Sequence, residues 1–324
     1  MHDSTTDLLW LRLHRITYEA QGIHAFELRL PSGAGLPPFS PGAHIDLHLG
    51  NGMVRSYSLC NCAEERHRYL VCVNRDRAGR GGSAFVHDAL RVGDVLPVAA
   101  PRNNFALDES AAHTLLIAGG IGITPLWCMV QRLETLGRPW TLHYCARSQA
   151  HAALLAPIRA LAQRSAVGQL HLHFDDAMPG RFLDLPALVA GASEDTHLYC
   201  CGPLPMLEAF ENATAALPGE RVHVEYFSAK APPDTTGGFQ VQLAGSGRVL
   251  GVPAGCTILD VLLEAGVEVP YSCREGVCGT CETRVLAGVP DHRDLVLTAQ
   301  EMQANQVMMV CCSGSRTPLL VLDL

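Results

Sequence analysis

Charge is scarce in this chain. Asp, Glu, Lys and Arg make up only 17% of its 324 residues, and the formal balance is −8. A duplex nucleic acid demands a basic face, so nucleic acid is not an expected partner. Long apolar runs are missing too: none reaches the roughly 18 residues that a membrane span needs. The N-terminal stretch MHDSTTDLLWLRLHR lacks the basic-then-apolar pattern of a secretory leader. Nor is there a disulfide framework, because the 13 cysteines are odd in number and scattered. Cys60, Cys62, Cys72, Cys128, Cys145, Cys200 and Cys256 mostly sit in apolar runs, where a thiol acts as a small hydrophobe. A cytoplasmic, reducing setting fits these absences, and a monomer with no membrane partner is the expectation. No internal repeat appears, and no standard G-x-G-x-x-G.

What is present is apolar: 48% of the residues, enough for a sizeable core in two or three domains. The first hundred residues read as β. Phe26, Leu28 and Leu30 alternate, as do Ile45, Leu47 and Leu49, and Leu70 and Cys72, with Gly and Pro clusters between. Many short strands suggest a barrel or sandwich. The character then changes. Apolar runs near 114–118, 141–146, 170–174, 197–201 and 222–227 alternate with helical stretches, which argues for a parallel sheet covered by helices. SAKAPPDTTGG, at 228–238, reads as a linker. After it come a hairpin around Ala244 to Gly247, a helix capped by Thr257 and stopped by Gly266, and a last strand LLVLDL. The expected boundaries are 1–107, 108–227, linker 228–238 and 239–324.

SCREGVCGTCE, from Ser272 to Glu282, follows neither helical nor strand periodicity. Cys273, Cys278 and Cys281 stand at C-x4-C-x2-C spacing, with Gly276 and Gly279 letting the backbone wrap tightly. A fourth thiol comes from Cys311 or Cys312, the former separated from Cys281 by 29 residues. That is the plant-type [2Fe-2S] spacing. Zinc more usually takes paired C-x2-C knuckles, and a chance cluster of core cysteines is the remaining alternative.

A second motif is Gly119-Gly120-Ile121-Gly122-Ile123-Thr124-Pro125, between an apolar strand and a helix. Glycines let a pyrophosphate approach the backbone, and the helix start supplies partial positive charge. A structural tight turn would look the same. Its companion is Cys200-Cys201-Gly202-Pro203, also at a strand end. Two such turns in one sheet mark a ligand crevice.

RSYSL, GRGGS, AGGIGITP, CGP, EYF and the cysteine loop occur in that order, and together they resemble the phthalate dioxygenase reductase family over essentially the whole chain. The resemblance implies an antiparallel β-barrel flavin domain, an α/β parallel-sheet NAD domain and an α+β, ferredoxin-like β-grasp [2Fe-2S] domain. It implies that Arg55, Ser56, Tyr57 and Ser58 bind flavin, Arg55 at the phosphate, Tyr57 along the ring and Ser58 near the reactive nitrogen. Arg80, Gly81, Gly82 and Ser83 match a phosphate turn of members that hold FMN. Gly119, Gly120, Gly122 and Thr124, with Cys201, Gly202 and Pro203, match the NAD site, and Phe227 the aromatic over the flavin. Cys311 is the implied fourth ligand, with Cys312 on the other face of its strand. Arg147 and Ser148 could receive a 2′-phosphate, whereas Asp175 and Asp176 would repel one, so NADH is expected.

The implied activity is electron transfer from NADH through FMN to the cluster, then to a terminal Rieske-type oxygenase. A haem protein is the alternative acceptor. From residue 239 onward nine acids face five bases, which fits docking on a basic patch and fits a solvated acidic surface equally.

Overall fold

The structure is a computed structural model, described for residues 8–76, 79–177, 180 and 182–324. The chain divides into two units, Met1–Glu225 and Tyr226–Leu324. The first unit holds two sheets.

Period-two patterning builds the first sheet from β1 (Leu9–Ala20), β2 (Ile23–Arg29), β3 (His44–His48), β4 (Val54–Ser58), β5 (Tyr69–Asn74) and β6 (Val95–Val98). The order is β4-β3-β6-β1-β2-β5, and every pairing is antiparallel. A bridge between Leu59 and Val71 brings the two edge strands together, as a barrel requires. Leu11, Leu13, Phe26, Leu28, Ile45, Leu47 and Val71 fill the inside. Helix α1 (Gly82–Asp88) follows β5. The alternation read at Phe26, Leu28 and Leu30 is only half the story. β2 ends at Arg29, and Glu27 is itself buried, at 2% exposure, between Arg29 and Arg68.

Largely apolar runs build the central strands of the second sheet, because both of their faces are covered. It comprises β7 (His113–Gly119), β8 (Trp140–Ala146), β9 (Gly168–Phe174), β10 (Thr196–Cys201) and β11 (Val222–Glu225). The order is β11-β10-β7-β8-β9, all parallel. Helices α2 (Ile123–Leu136), α3 (Leu155–Arg164), α4 (Leu185–Ala190) and α5 (Leu204–Thr214) join the strands. Gly137 ends α2 in the left-handed conformation, at φ 65°. The chain runs outward from β7 to β9, then returns to β10 on the other side. The switch point between β7 and β10 is where α/β sheets open a crevice.

The second unit carries a mixed sheet. It contains β12 (Phe239–Leu243), β13 (Val249–Val252), β14 (Glu282–Ala287), β15 (Pro290–Asp291), β16 (Val307–Met309), β17 (Gly314–Ser315) and β18 (Leu319–Leu322). The main order is β13-β12-β18-β14-β16, with β12 and β18 parallel. Helix α6 (Ile258–Glu264) starts on a capping box: the Thr257 hydroxyl accepts from Asp260 N–H, and the Asp260 carboxylate accepts from Thr257 N–H. Helix α7 (Ala299–Ala304) repeats the device with Thr298 and Glu301. The segment expected as a linker is tied into this unit. Asp234 N–H donates to the Cys312 carbonyl at 2.8 Å, and Gly238 N–H to Val252 at 2.9 Å. Among the described residues, no helix is long and apolar enough to cross a membrane.

Candidate functional site

The crevice lies at the carboxyl ends of β7 and β10. Gly119 and Gly122 are small because the second turn packs on them. A Cβ on Gly119 would overlap Pro203 Cδ and Met206 Sδ, and one on Gly122 would overlap the Cys201 carbonyl and Gly202 N. The two turns therefore hold each other in place. Gly120 is different: its φ is +55°, and a Cβ there would meet nothing within 4 Å. It is the glycine at which a ligand can approach the backbone. The Thr124 hydroxyl, buried in the first turn of α2, donates to the Ile121 carbonyl at 3.0 Å. Cys201 is fully buried.

Strand β4 carries Arg55, Ser56, Tyr57 and Ser58. Alternation puts Arg55 and Tyr57 on one face and Ser56 and Ser58 on the other. Arg55 lies directly on the start of α1, where a Cβ on Gly82 would overlap its side chain. Its Nη1 donates to the Val54 carbonyl at 2.8 Å, which fixes the guanidinium there. Gly81 begins α1 at φ 86°, a conformation that favours glycine. The Ser83 hydroxyl accepts from Asp76 N–H at 3.1 Å, and Arg80 is exposed. A fixed cation over a turn without side chains is a cradle for phosphate, and these residues fit the phosphate end of a flavin. Burial pushes the Tyr57 phenol up to about 12. Ser56 donates to Asp46 at 2.6 Å, and Asp46 also holds Arg102 at 2.5 Å. That hydroxyl serves the barrel's own polar network.

Ser58 points elsewhere. Its hydroxyl reaches Glu225 Oε2 at 3.5 Å, and the Cys201 thiol reaches the same oxygen at 4.0 Å. Strands β4, β10 and β11 thus converge on one carboxyl group. Burial pushes Glu225 up to about 8, with the Ser58 hydroxyl pulling the other way. Burial, reinforced by the Glu225 charge, raises the Cys201 thiol well above its usual range, so it stays protonated at neutral pH. Glu225 was not among the residues singled out from sequence. The available signal was the acid within VHVEYF, at the last position of a strand next to the CGP strand. Phe227, 39% exposed, belongs to the second unit.

In the second unit the cysteine loop wraps through left-handed residues at Arg274, Gly276 and Gly279. Cys273, Cys278, Cys281 and Cys311 are all buried, at 7%, 3%, 2% and 2% exposure. The thiols of Cys278 and Cys311 both hydrogen-bond with Cys273. Glu275 N–H donates to the Cys273 sulfur at 3.3 Å, and Thr280 Oγ1 lies 3.1 Å from the Cys278 sulfur. The neighbouring Cys273 thiol, then burial, raises Cys278 far above its usual range. Crowded buried sulfurs that penalise one another's ionisation are relieved by iron cations. Among the described residues, no three His, Cys, Asp or Glu side chains converge on one ion position. A two-iron cluster does not ask for that, since its four thiolates are shared between two irons.

Cys311 and Cys312 do not occupy opposite faces of a strand. β16 ends at Met309, and Val310–Cys312 form a turn. Cys312 Sγ lies near the Met309 carbonyl and the Ser313 hydroxyl, at 3.7 and 3.8 Å. It also fills the space where Gly276 would carry a Cβ.

Comparison with known proteins agrees with this geometry. The 2Fe-2S iron-sulfur cluster binding domain matches residues 241–315. The chain is 58% identical over 315 residues to phenoxybenzoate dioxygenase subunit beta of Ectopseudomonas oleovorans, covering 97% of each protein. The solved structure of phthalate dioxygenase reductase, a modular structure for electron transfer from pyridine nucleotides to [2Fe-2S], superposes with a TM-score of 0.74. It is 37% identical and covers 98% of both chains. An intact type IV self-sufficient cytochrome P450 monooxygenase superposes at 0.88 with 38% identity. That match covers 98% of this chain but only 41% of the larger protein.

Proposed function

The chain belongs to the phthalate dioxygenase reductase family, and from that premise we propose that it carries electrons from NADH through FMN to its cluster and on to a terminal Rieske-type oxygenase. It is an oxidoreductase of the oxygenase-reductase type, with flavin and [2Fe-2S] cofactors. The finer statements are FMN, NADH and the identity of the acceptor. The observation that carries the reading is the convergence of Ser58, Cys201 and Glu225 at the carboxyl end of β10, on a chain that also holds the four-cysteine loop.

A bound flavin supplies the conversion of a two-electron hydride into single electrons, and the protein supplies placement. Arg55 and the Gly81-Gly82-Ser83 turn hold the phosphate, with Arg80 beside them. Tyr57, kept as a neutral phenol, lines the ring. Gly120 admits the pyrophosphate, while Gly119, Gly122, Gly202 and Pro203 fix the loop that presents it. Thr124 closes the first turn of α2. Cys201 stays a thiol and adds no charge where the nicotinamide stacks. Ser58 and Glu225 hold a proton at the hydride site. Cys273, Cys278, Cys281 and Cys311 ligate the cluster.

NADH is favoured over NADPH by the carboxyl end of β9. Asp175 N–H and Asp176 N–H donate to the carbonyls of Ala146 and Arg147, each at 3.1 Å. Two acidic residues are thus paired through the backbone with the turn that carries one arginine, a poor place for an extra phosphate.

A haem acceptor is the second reading, favoured by the 0.88 match to the P450 fusion. The coenzyme claims are tested by releasing the flavin for chromatography and comparing kcat/KM for the two nicotinamides. FMN and a preference for NADH of about tenfold or more, the effect of about 1.4 kcal/mol of repulsion, are expected. Released FAD or preferred NADPH overturns them.

A further inference from the structure

His44 lies beside this site and belongs to none of the motifs above. Both of its backbone groups bond away from β4: His44 N–H donates to Arg102 O at 2.9 Å, and Arg102 N–H donates to His44 O at 3.0 Å. On the next rung, Leu59 N–H donates to Ala43 O at 2.8 Å. His44 and Ser58, which are register partners, therefore form the rung without mutual backbone bonds. In such a rung the side chains share a face and stand closest, with Cα atoms about 4.5 Å apart.

The imidazole is buried, at 5% exposure, and its Nε2 has no hydrogen-bond partner among the described residues. A buried polar nitrogen left so is costly. The charged groups that face it are Asp46 and Arg102. They bond to each other at 2.5 Å, and Ser56 fills another Asp46 contact. Burial, with Arg102 assisting and Asp46 opposing, brings the ring down to about 4, so it is neutral and can carry a proton on Nε2. On the other side of the rung, Ser58 makes a long contact of 3.5 Å to Glu225. A hydroxyl that donates to a carboxylate still has lone pairs to fill.

We propose that His44 is a positioning residue: in the holoprotein its Nε2–H, unpartnered here, closes onto the oxygen of its register partner Ser58 and so turns the Ser58 proton onto Glu225. Closing that rung satisfies two groups at once. The role rests on Ser58, Cys201 and Glu225 forming the hydride site.

The test follows the Glu225 carboxyl infrared band against pH in the holoprotein, with the band assigned by its loss in Glu225→Gln. His44→Phe moves the Glu225 midpoint upward by about one unit, because a hydrogen bond that favours the carboxylate is lost. His44→Gln, whose amide N–H stands where Nε2–H does, restores the wild-type midpoint. No shift in His44→Phe, or equal shifts in both variants, overturns the role and leaves His44 as packing. A second readout needs no change at His44. In nitrogen-15 histidine-labelled protein, the His44 proton resides on Nε2 and its hydrogen-bond shift disappears in Ser58→Ala. A proton on Nδ1, or an unchanged shift, contradicts the proposal. The hydride rate of Glu225→Gln judges the site itself, so the two ideas can fail separately.

Discussion

Ser58 and Glu225 stand 167 positions apart in the chain, and the Ser58 hydroxyl reaches the Glu225 carboxylate at 3.5 Å. One residue ends a barrel strand and the other ends a parallel strand. Their contact joins the two sheets of the first unit.

Glu225 gives the first expected outcome. Its pKa is raised from 4.5 to about 8 by burial. Between those values the folded chain keeps a proton that the unfolded chain has lost. Stability therefore falls as pH rises through that window and levels off above it. Glu225→Gln removes this dependence. Its melting temperature should match wild type near pH 4.5 and exceed it near pH 9, while hydride transfer slows about ten- to a hundredfold. Parallel melting curves across the range would contradict the raised pKa.

The glycines of the NAD loop should separate by cause. Gly122→Ala forces a Cβ into the Cys201 carbonyl, so the two turns must part. A KM for NADH raised about tenfold or more is expected, with flavin content unchanged. Gly120→Ala meets no atom but holds φ at +55°, so it costs about 1 kcal/mol of stability. Urea midpoints and NADH saturation curves distinguish the two, and a reversed pattern would show that the loop packs otherwise.

The two late cysteines should differ. Cys311→Ser is expected to lose the cluster absorbance and its low-temperature EPR signal. Cys312→Ser should keep both, since that sulfur packs against Met309, Ser313 and Gly276. The opposite result would move the fourth ligand to Cys312.

Glu27 is a structural counterpart. Arg29 and Arg68 hold it below its usual range against the effect of burial. Its contribution is present above the ordinary carboxylate range and is lost as pH falls through the depressed folded value. Glu27→Ala should cost about 2 kcal/mol at pH 7, a value reduced because both arginines are partly exposed. The cost should shrink on acidification in chemical denaturation. A cost that is constant down to pH 3 would contradict the ion-pair account.

These elements also show what sequence reveals. Gly137 and Thr257 were legible because a helix end is set within a few residues. The cysteine loop was legible because its spacing is unusual for any regular element. Glu225, His44 and Glu27 were not, because each is defined by side chains outside its own strand, which no local pattern reports. Residues 228–238 read as a linker by composition, yet Asp234 and Gly238 bond into the second unit. Gly119 and Gly122 read as phosphate glycines, while their neighbours are the atoms of another turn. The turn at Cys311 and Cys312 was read as strand because VMMVCC is apolar throughout.

The most direct measurement is an anaerobic titration of the purified holoprotein with NADH, followed by visible absorbance and low-temperature EPR. The account expects the flavin band to bleach as a rhombic one-electron cluster signal grows in. In a fully metallated sample, flavin bleaching without that signal would contradict the electron path and return zinc as the occupant of the four cysteines.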